Sequence, residues 1–254
     1  MKKLLFCILA CVAFLRAELI EVGTGNSYRP FAYVSKNGEA VGFDIELLKL
    51  LSTYDKSLEF HFNPLPFTAL FVGLDGGKFT MLAHQIAKTK EREEKYIFSD
   101  TPYFNVLLNF IVNENSKISS FDELVGKKIG AVVGSNQALR IEQWAQQNKH
   151  LKVKIIYFKN YGSQLLALAN KQIDALLDNP IVALDYAKAQ GVNIKITDLN
   201  LQKTSVFFVF AKDNTALKDK ISRALDRARK SGKLKELSLK YFGVDYTQLE
   251  KDKK

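Results

Sequence analysis

Residues 42–62, GFDIELLKLLSTYDKSLEFHF, place a helix directly before a strand. Asp44 follows a glycine as a suitable N-cap, and the apolar residues of Ile45–Leu51 repeat at helical spacing. From Leu58 to Phe62, apolar and polar residues alternate, which is typical of a strand. Another apolar strand precedes this stretch, at Glu18–Gly23. A strand, a helix and a strand in succession predict an α/β fold with parallel strand pairing.

The same alternation begins again after residue 112. Strands are predicted at Lys128–Val133, Val153–Phe158, Ile173–Leu177 and Gln202–Ala211, and helices after Asn136, at Ser163–Asn170, at Pro180–Ala189 and across Asn214–Phe242. Two apolar segments, Asn105–Val112 and Ser205–Phe210, lie at the changeovers between the two sets of elements. We therefore expect two similar α/β modules rather than one long sheet, with these segments as hinge crossings. The cleft between the modules is the expected ligand site.

The composition is that of a globular protein. The 254 residues are 47% hydrophobic and 25% charged, with only 14 glycines, which excludes a disordered chain and a collagen-like repeat. The net charge of +10 first suggests an acidic partner such as nucleic acid. However, the basic residues are spread through every segment, and the cluster at Arg223–Lys240 alternates with helical apolar positions. This pattern favours a solvated helix face, so we expect no nucleic-acid partner.

The first seventeen residues are typical of an export signal. Lys2 and Lys3 precede the uncharged apolar run Leu4–Leu15, and the small residue Ala17 follows. The run is shorter than the roughly 20 apolar residues that cross a membrane. We predict a signal peptide at residues 1–17, cleaved near Ala17, and a periplasmic mature protein. Cleavage removes three basic residues and no acidic one, which lowers the net charge to +7.

Both cysteines, Cys7 and Cys11, fall within the predicted signal. The mature chain would therefore have neither a disulfide nor a thiol nucleophile. Lipid attachment at Cys11 is a second interpretation, because Ile8-Leu9-Ala10-Cys11 resembles a bacterial lipobox. The apolar run before Cys11 is short for that role, so cleavage near Ala17 ranks first.

Motifs of several enzyme classes are absent. Gly23-Thr24-Gly25 lacks the third glycine of the dinucleotide fingerprint, and residues 73–78 lack the final Gly-Lys-Ser/Thr of a phosphate loop. No Gly-x-Ser-x-Gly elbow occurs. The three histidines, His61, His84 and His150, are too scattered for a zinc pair. We expect no catalytic residue, no metal and no cofactor, and hence no enzyme.

A series of short motifs carries a family resemblance. In chain order they are Tyr28-Arg29-Pro30-Phe31, Gly42-Phe43-Asp44, Thr89-Lys90-Glu91-Arg92, Phe98 to Tyr103, Gly134-Ser135-Asn136-Gln137, Ile173-Asp174-Ala175, Asp178-Asn179-Pro180 and Tyr241-Phe242-Gly243. In this order and spacing, the mature chain resembles the polar amino-acid-binding proteins of bacterial ABC importers, the family 3 solute-binding proteins. The resemblance implies a two-lobed type II periplasmic-binding-protein fold with two hinge crossings. We place lobe 1 at residues 18–107 plus 208–254 and lobe 2 at residues 108–207.

The resemblance assigns the carboxylate end of an amino-acid ligand to four residues. Arg92 matches the arginine that holds the α-carboxylate, and a guanidinium suits that role because it forms bidentate charge-assisted hydrogen bonds. Ser135 and Asn136 match a turn whose backbone N–H groups bind the same carboxylate at a helix N-terminus. Ala87 stands where relatives often carry Ser or Thr, which removes a hydroxyl. On sequence alone, Arg92 in the charged run 88–95 would be a solvated residue.

The ammonium end and the walls are assigned in the same way. Asp178 matches the acid that receives the ligand ammonium, although it also precedes a helix-entry turn. Tyr28 and Phe67 match aromatics that sandwich the ligand, with ordinary core packing as the alternative. Gln85 matches a position whose backbone carbonyl faces the ammonium. His84 is expected to be a satisfied lining residue.

The expected function is therefore capture of an amino acid and its delivery, by a monomer, to the membrane permease of an ABC importer. The stretch His84-Gln85-Ile86-Ala87-Lys88 is closest to cystine-type binders, which favours cystine or another polar amino acid. The alternative is a periplasmic dehydratase acting on prephenate or arogenate, because a few such enzymes have this fold. That enzyme would need a general acid, and Asp178 and His84 are the only candidates.

Overall fold

The structure is a computed structural model, and it describes residues 19–249. The predicted signal peptide at residues 1–17, with Cys11 and Ala17, lies outside the described residues. No helix within residues 19–249 is both long and apolar enough to cross a membrane.

The elements alternate as the sequence predicts. In the first part of the chain they are β1 (Leu19–Gly25), β2 (Ser27–Tyr28), β3 (Ala32–Val34), β4 (Ala40–Val41), α1 (Phe43–Tyr54), β5 (Glu59–Leu65), α2 (Phe67–Asp75), β6 (Met81–Ala87), α3 (Lys90–Lys95), β7 (Tyr96–Phe98) and β8 (Phe104–Asn113). They continue as β9 (Lys128–Val132), α4 (Asn136–Gln147), β10 (Lys154–Phe158), α5 (Tyr161–Ala169), β11 (Ala175–Asp178), α6 (Pro180–Gln190), β12 (Ile194–Ala211), α7 (Thr215–Lys230) and α8 (Lys233–Phe242). Short 3₁₀ turns lie at Asp122–Leu124 and Lys149–Leu151.

The two α/β modules do not exclude one long sheet, and in that respect the expectation is wrong. The strands form one hydrogen-bonded path in the order β10-β9-β11-β8-β12-β6-β1-β5, and β7 also pairs with β12. A separate small sheet contains β2, β3 and β4. The pairs β1–β5, β1–β6, β9–β10 and β9–β11 are parallel, as predicted. The path is continuous because the two long crossing strands, β8 and β12, pair with each other.

These crossing strands join the two halves of the fold. β8 and β12 are antiparallel, and the end of β8 at Asn109–Val112 also pairs with β11. The opposite end of the ladder, Val206–Phe210 of β12, pairs with β6. Two neighbouring segments therefore connect the halves, which is the type II two-lobed arrangement. The lobe boundaries at residues 107 and 208 stay a prediction.

The sequence placed two helix ends wrongly. The N-cap of α1 is Gly42 rather than Asp44, because the backbone there has a φ of 123°, which favours glycine. Asp44 lies inside the first turn, and its side chain is fully buried. The helical pattern across 214–242 is two helices, because Gly232 between them has a φ of 79° and interrupts the helix.

Candidate functional site

A cavity of about 630 Å³ lies between the two halves. Residues at the ends of β1, β6, β9 and β11 line it, together with the starts of α2, α4 and α5. These strands are parallel within each half, so their carboxyl ends meet at one edge, where α/β proteins bind ligands. All eight residues proposed from the resemblance line this cavity: Tyr28, Phe67, Gln85, Ala87, Arg92, Ser135, Asn136 and Asp178. Their individual roles stay predictions.

Arg92 is a partly buried cation on the wall of the cavity. Its guanidinium donates hydrogen bonds to the backbone carbonyls of Ala87, at 2.8 Å, and Gly134, at 3.0 Å. It stacks over the ring of Phe71, 4.9 Å from the ring centroid. No carboxylate in residues 19–249 forms an ion pair with it. Burial lowers the pKa of Arg92 to about 10, so it remains positive at neutral pH and can hold an anion.

The start of α4 offers further hydrogen-bond donors for an anion. Ser135 is the N-cap, and its hydroxyl oxygen accepts a hydrogen bond from the amide of Ala138. The amides of Asn136 and Gln137, at the first two helical positions, have no acceptor in their own helix. Both residues line the same cavity as Arg92. A carboxylate at this helix end would meet backbone N–H groups and the positive end of the helix dipole.

Asp178 supplies the only carboxylate on the described wall of the cavity. It is buried at the end of β11, and three hydrogen bonds converge on its Oδ1. They come from the Tyr28 hydroxyl at 2.8 Å, the Gln137 side-chain amide at 3.0 Å and the Asn179 backbone at 2.6 Å. Oδ2 takes part in none of these three bonds, so the carboxylate can accept further hydrogen bonds there.

The predicted aromatic sandwich contains a third ring. His84 lies between the two aromatics, with ring centroids 5.2 Å from Tyr28 and 5.5 Å from Phe67. Gly25 packs against the His84 imidazole so closely that a Cβ at Gly25 would overlap it. The prediction that His84 is satisfied is wrong, because its buried Nδ1 has no hydrogen-bond partner in the described chain. Packing holds the imidazole in place, and its Nδ1 lacks a hydrogen-bond partner within the described chain.

Gln85 has an unusual backbone conformation at the cavity wall. Its φ is 49°, a left-handed value that is uncommon for a residue with a side chain. Asp44 stabilises this turn, because its carboxylate accepts from the Gln85 amide at 3.1 Å and from the Gln85 side chain at 2.8 Å. The Tyr103 hydroxyl donates a hydrogen bond to Asp44, and its oxygen accepts one from the same Gln85 amide at 3.0 Å. The buried residue predicted as a helix cap therefore shapes the binding wall.

Replacing Asp44 with asparagine is expected to lower the free energy of unfolding by about 1–3 kcal/mol. An asparagine amide keeps the shape but points an N–H₂ group at a donor from Gln85 or Tyr103. Urea denaturation of the variant measures the change. Glu46→Gln is the matched control on the same helix, since the exposed ion pair of Glu46 with Lys240 is worth only about 0–1 kcal/mol. Equal stability of the two variants would show that the Asp44 network does not hold the turn.

Several direct contacts hold the two halves together around the cavity. Tyr28 binds Asp178, Arg92 binds the Gly134 carbonyl, and Arg29 forms an ion pair with Asp185 at 2.9 Å. Each contact joins the first half of the chain to residues in 134–185. The structure therefore describes a closed arrangement of the cleft.

Sequence reasoning missed much of the cavity wall, including four polar or aromatic residues that bear on binding. Gln137 orients Asp178, and it belongs to the Gly-Ser-Asn-Gln motif that identified its neighbours. Tyr161, Gln164 and Tyr186 also line the cavity, but they lie on helices whose apolar spacing only indicated core packing. Trp144 is partly buried and packs against the hydrophobic core. No group of three or more His, Cys, Asp or Glu residues within 19–249 is arranged to hold a metal ion.

The fold and the cavity define a cleft-type binding protein, with a cation and an anion on the wall of one cavity. Residues 20–244 match the sequence model of the bacterial extracellular solute-binding proteins, family 3. This chain belongs to that family.

Two curated relatives come from Bacillus subtilis. A probable amino-acid-binding protein, YxeM, is 35% identical over 91% of this chain and 86% of its own length. The L-cystine-binding protein TcyK is 30% identical over 92% of this chain and 87% of its own length.

Two solved structures are also similar. One is described as a putative L-cystine ABC transporter from Listeria monocytogenes, with a TM-score of 0.80, 32% identity, and coverage of 91% of this chain and 98% of its own. The other is an ancestral arginine-binding protein bound to arginine, with a TM-score of 0.80, 30% identity, and coverage of 90% and 99%. The family therefore contains binders of different amino acids.

Proposed function

We propose that this protein binds one amino acid in the cleft and delivers it to the membrane permease of an ABC importer, without bond chemistry. The observation that carries the proposal is the charge arrangement of the cavity. Arg92 is a cation without an ion pair in residues 19–249, and Asp178 is an anion with one oxygen outside its hydrogen-bond network. A zwitterion supplies the two opposite charges that would compensate these groups in a buried site.

Different groups of the protein then bind the two ends of the ligand. The α-carboxylate binds Arg92 and the amides at the start of α4, with the hydroxyl of Ser135 beside them. The α-ammonium binds Asp178 Oδ2. Tyr28, His84 and Phe67 supply the aromatic walls, and Ala87 acts through its backbone carbonyl, which orients Arg92.

Cystine or another polar amino acid is the proposed ligand. Two of the similar proteins are named for cystine, and the sequence His84 to Lys88 favours the same type. The cavity of about 630 Å³ lies in the range of ordinary small-molecule sites, roughly 300–1,000 Å³. It therefore accommodates a ligand larger than a short amino acid.

Ligand binding is proposed to stabilise the closed arrangement. Arg92 and Asp178 lie on different halves, so a ligand that binds both makes its full set of contacts only when the cleft is closed. The closed monomer would then dock on the permease. Residues 1–17 would direct the chain to the periplasm before cleavage near Ala17, and nucleic acid has no part in this function.

A thermal-shift screen against the twenty amino acids plus cystine, ornithine and citrulline tests the proposal. We expect one ligand to raise the melting temperature by several degrees at a concentration about 100 times its Kd, because ligand binding to the folded state adds about 2.7 kcal/mol. Absence of any shift at millimolar concentrations would contradict it. Turnover of prephenate, followed by absorbance, would support the dehydratase alternative instead.

A further inference from the structure

Four residues that line the cavity each have a buried polar side-chain atom without a hydrogen-bond partner among residues 19–249. The atoms are His84 Nδ1, Gln85 Oε1, Tyr161 Oη and Gln164 Oε1. His84, Tyr161 and Gln164 are each less than a tenth exposed. Burying a polar atom unpaired is unfavourable, so four such atoms around one cavity indicate a molecule that pairs with them.

These groups are uncharged hydrogen-bonding groups. Burial, with the nearby charge of Arg92, lowers the pKa of His84 to about 4, so the imidazole is neutral. Burial and the charge of Asp178 raise the pKa of the Tyr161 hydroxyl well above its usual value. The amide of Gln85 is oriented by its bond to Asp44, and its carbonyl oxygen is therefore left as an acceptor. The cluster carries no charge: the two glutamine oxygens accept hydrogen bonds, and the tyrosine hydroxyl and the neutral imidazole can donate or accept.

The charged residues of the wall limit which side chain fits beside this cluster. Within the described part of the chain, the only charged lining residues are Arg92, Lys159 and Asp178. Under the proposed function, Asp178 is already paired with the α-ammonium of the ligand. Arg92 is likewise paired with the α-carboxylate, so a cationic side chain would find no remaining carboxylate and Lys159 as a further cation, which is unfavourable in a buried site. A neutral donor would find the unpaired acceptors.

We propose that His84, Tyr161 and Gln164 bind the side chain of the ligand, and that the protein selects net-neutral, hydrogen-bond-donating side chains over cationic ones. Such a side chain ends in an amide, a hydroxyl or the second zwitterionic end of cystine, whose own carboxylate compensates its ammonium. This inference rests on the proposed function, and it goes beyond it by naming the residues and the charge class that set selectivity. It also separates this protein from relatives such as the ancestral arginine-binding protein bound to arginine.

Calorimetry on the wild-type protein tests the charge class directly. L-glutamine, L-cystine, L-arginine and L-alanine are titrated separately. We expect glutamine or cystine to bind at least about tenfold more tightly than arginine and alanine. Alanine would leave the buried polar atoms unpaired, and arginine would bring a cation that has no carboxylate to pair with. The glutamine and cystine arms distinguish a simple amide from a second zwitterionic end. Equal or tighter binding of arginine overturns the proposal.

Variants of Gln164 test the residues. Gln164→Glu keeps the shape and adds a carboxylate, so we expect the affinity for arginine to rise about tenfold relative to the preferred neutral ligand. Gln164→Leu is expected to weaken the preferred neutral ligand about tenfold while alanine changes little. Gln190→Leu is the matched control, because Gln190 also has an unpaired buried Oε1 but does not line the cavity. Its ligand preference should equal that of the wild type.

The failure of this inference is distinguishable from the failure of the proposed function. If the wild type binds no amino acid, both fail. If it binds amino acids but prefers arginine, or if Gln164→Leu and Gln190→Leu have the same effect on selectivity, only the inference fails. Melting temperatures of the ligand-free variants show whether each is folded, and the wild-type panel decides the charge class even if a variant is not.

Discussion

Replacing Arg92 with alanine is expected to raise the Kd for the preferred amino acid by about a hundredfold or more, because a buried charge pair that loses one partner weakens binding by roughly 2–5 kcal/mol. The variant loses the fork that would hold the ligand carboxylate. It also loses the bond to Gly134, which joins the two halves. Isothermal titration calorimetry of the variant against the wild type measures the change.

Two matched variants separate charge from geometry. Arg92→Lys keeps a positive charge without the planar fork, so we expect a smaller loss, about tenfold. Arg223→Ala removes an exposed arginine of α7 that does not line the cavity, so it should leave the Kd unchanged. An Arg92→Ala protein that is folded and binds with near-normal affinity would refute the assignment of the carboxylate site.

Replacing Asp178 with asparagine is expected to weaken binding by a similar factor, about a hundredfold. The asparagine oxygen can still accept from Tyr28, Gln137 and Asn179, so the local structure should survive. The change places an uncharged N–H₂ group where Oδ2 would receive the ligand ammonium. Asp174→Asn is the control, since that exposed acid pairs with Lys127 away from the cavity. Unaltered affinity in a folded Asp178→Asn protein would contradict the assignment of the ammonium site.

The same carboxylate predicts a pH dependence of binding. Burial raises the pKa of Asp178 to about 6, and only the ionised form pairs with an ammonium. The affinity should therefore fall about tenfold between pH 7 and pH 5, and this fall should disappear in Asp178→Asn. Burial also raises the pKa of Asp44 to about 7, but Asp44 does not line the cavity, so any dependence left in the variant reports that second group.

The stability of the ligand-free protein changes with pH in the opposite direction to the affinity. A raised carboxyl pKa means that the folded state keeps its proton at a pH where the unfolded chain has lost it. The contribution of Asp178 to stability is therefore present below about pH 4, the ordinary value, and is lost as the pH rises through about 6. A bound ammonium removes this penalty, so the thermal shift produced by the ligand should be larger at pH 7 than at pH 5.

Local patterns were sufficient for much of the fold. The helical repeat before Tyr54, the alternation after Leu58 and the proline at the start of α6 each depend on neighbouring residues, and the corresponding elements are present. The cap at Asp44 was wrong for a physical reason. Its carboxylate is used by Gln85 and Tyr103, which are 41 and 59 residues away along the chain, and local pattern reading does not include such partners.

Some residues of the site were found from the sequence, and others only from the structure. The resemblance supplied eight residues that line one cavity. It did not show the hydrogen bond from Gln137 to Asp178 or the position of the His84 imidazole between Tyr28 and Phe67. It also did not show the unpaired polar atoms of Tyr161 and Gln164.

Hydrophobic periodicity and turn residues act over a few positions, and they determined the α/β alternation and the two crossing strands. The charged pair, Arg92 and Asp178, was indicated only by the family resemblance. The pairing of β8 with β12 into one continuous sheet, the contacts across the cleft and the neutral wall of the cavity depend on residues brought together from distant parts of the chain. Whether a polar side chain is satisfied depends on every group packed around it. For that reason only the tertiary structure decided which atoms remain for the ligand.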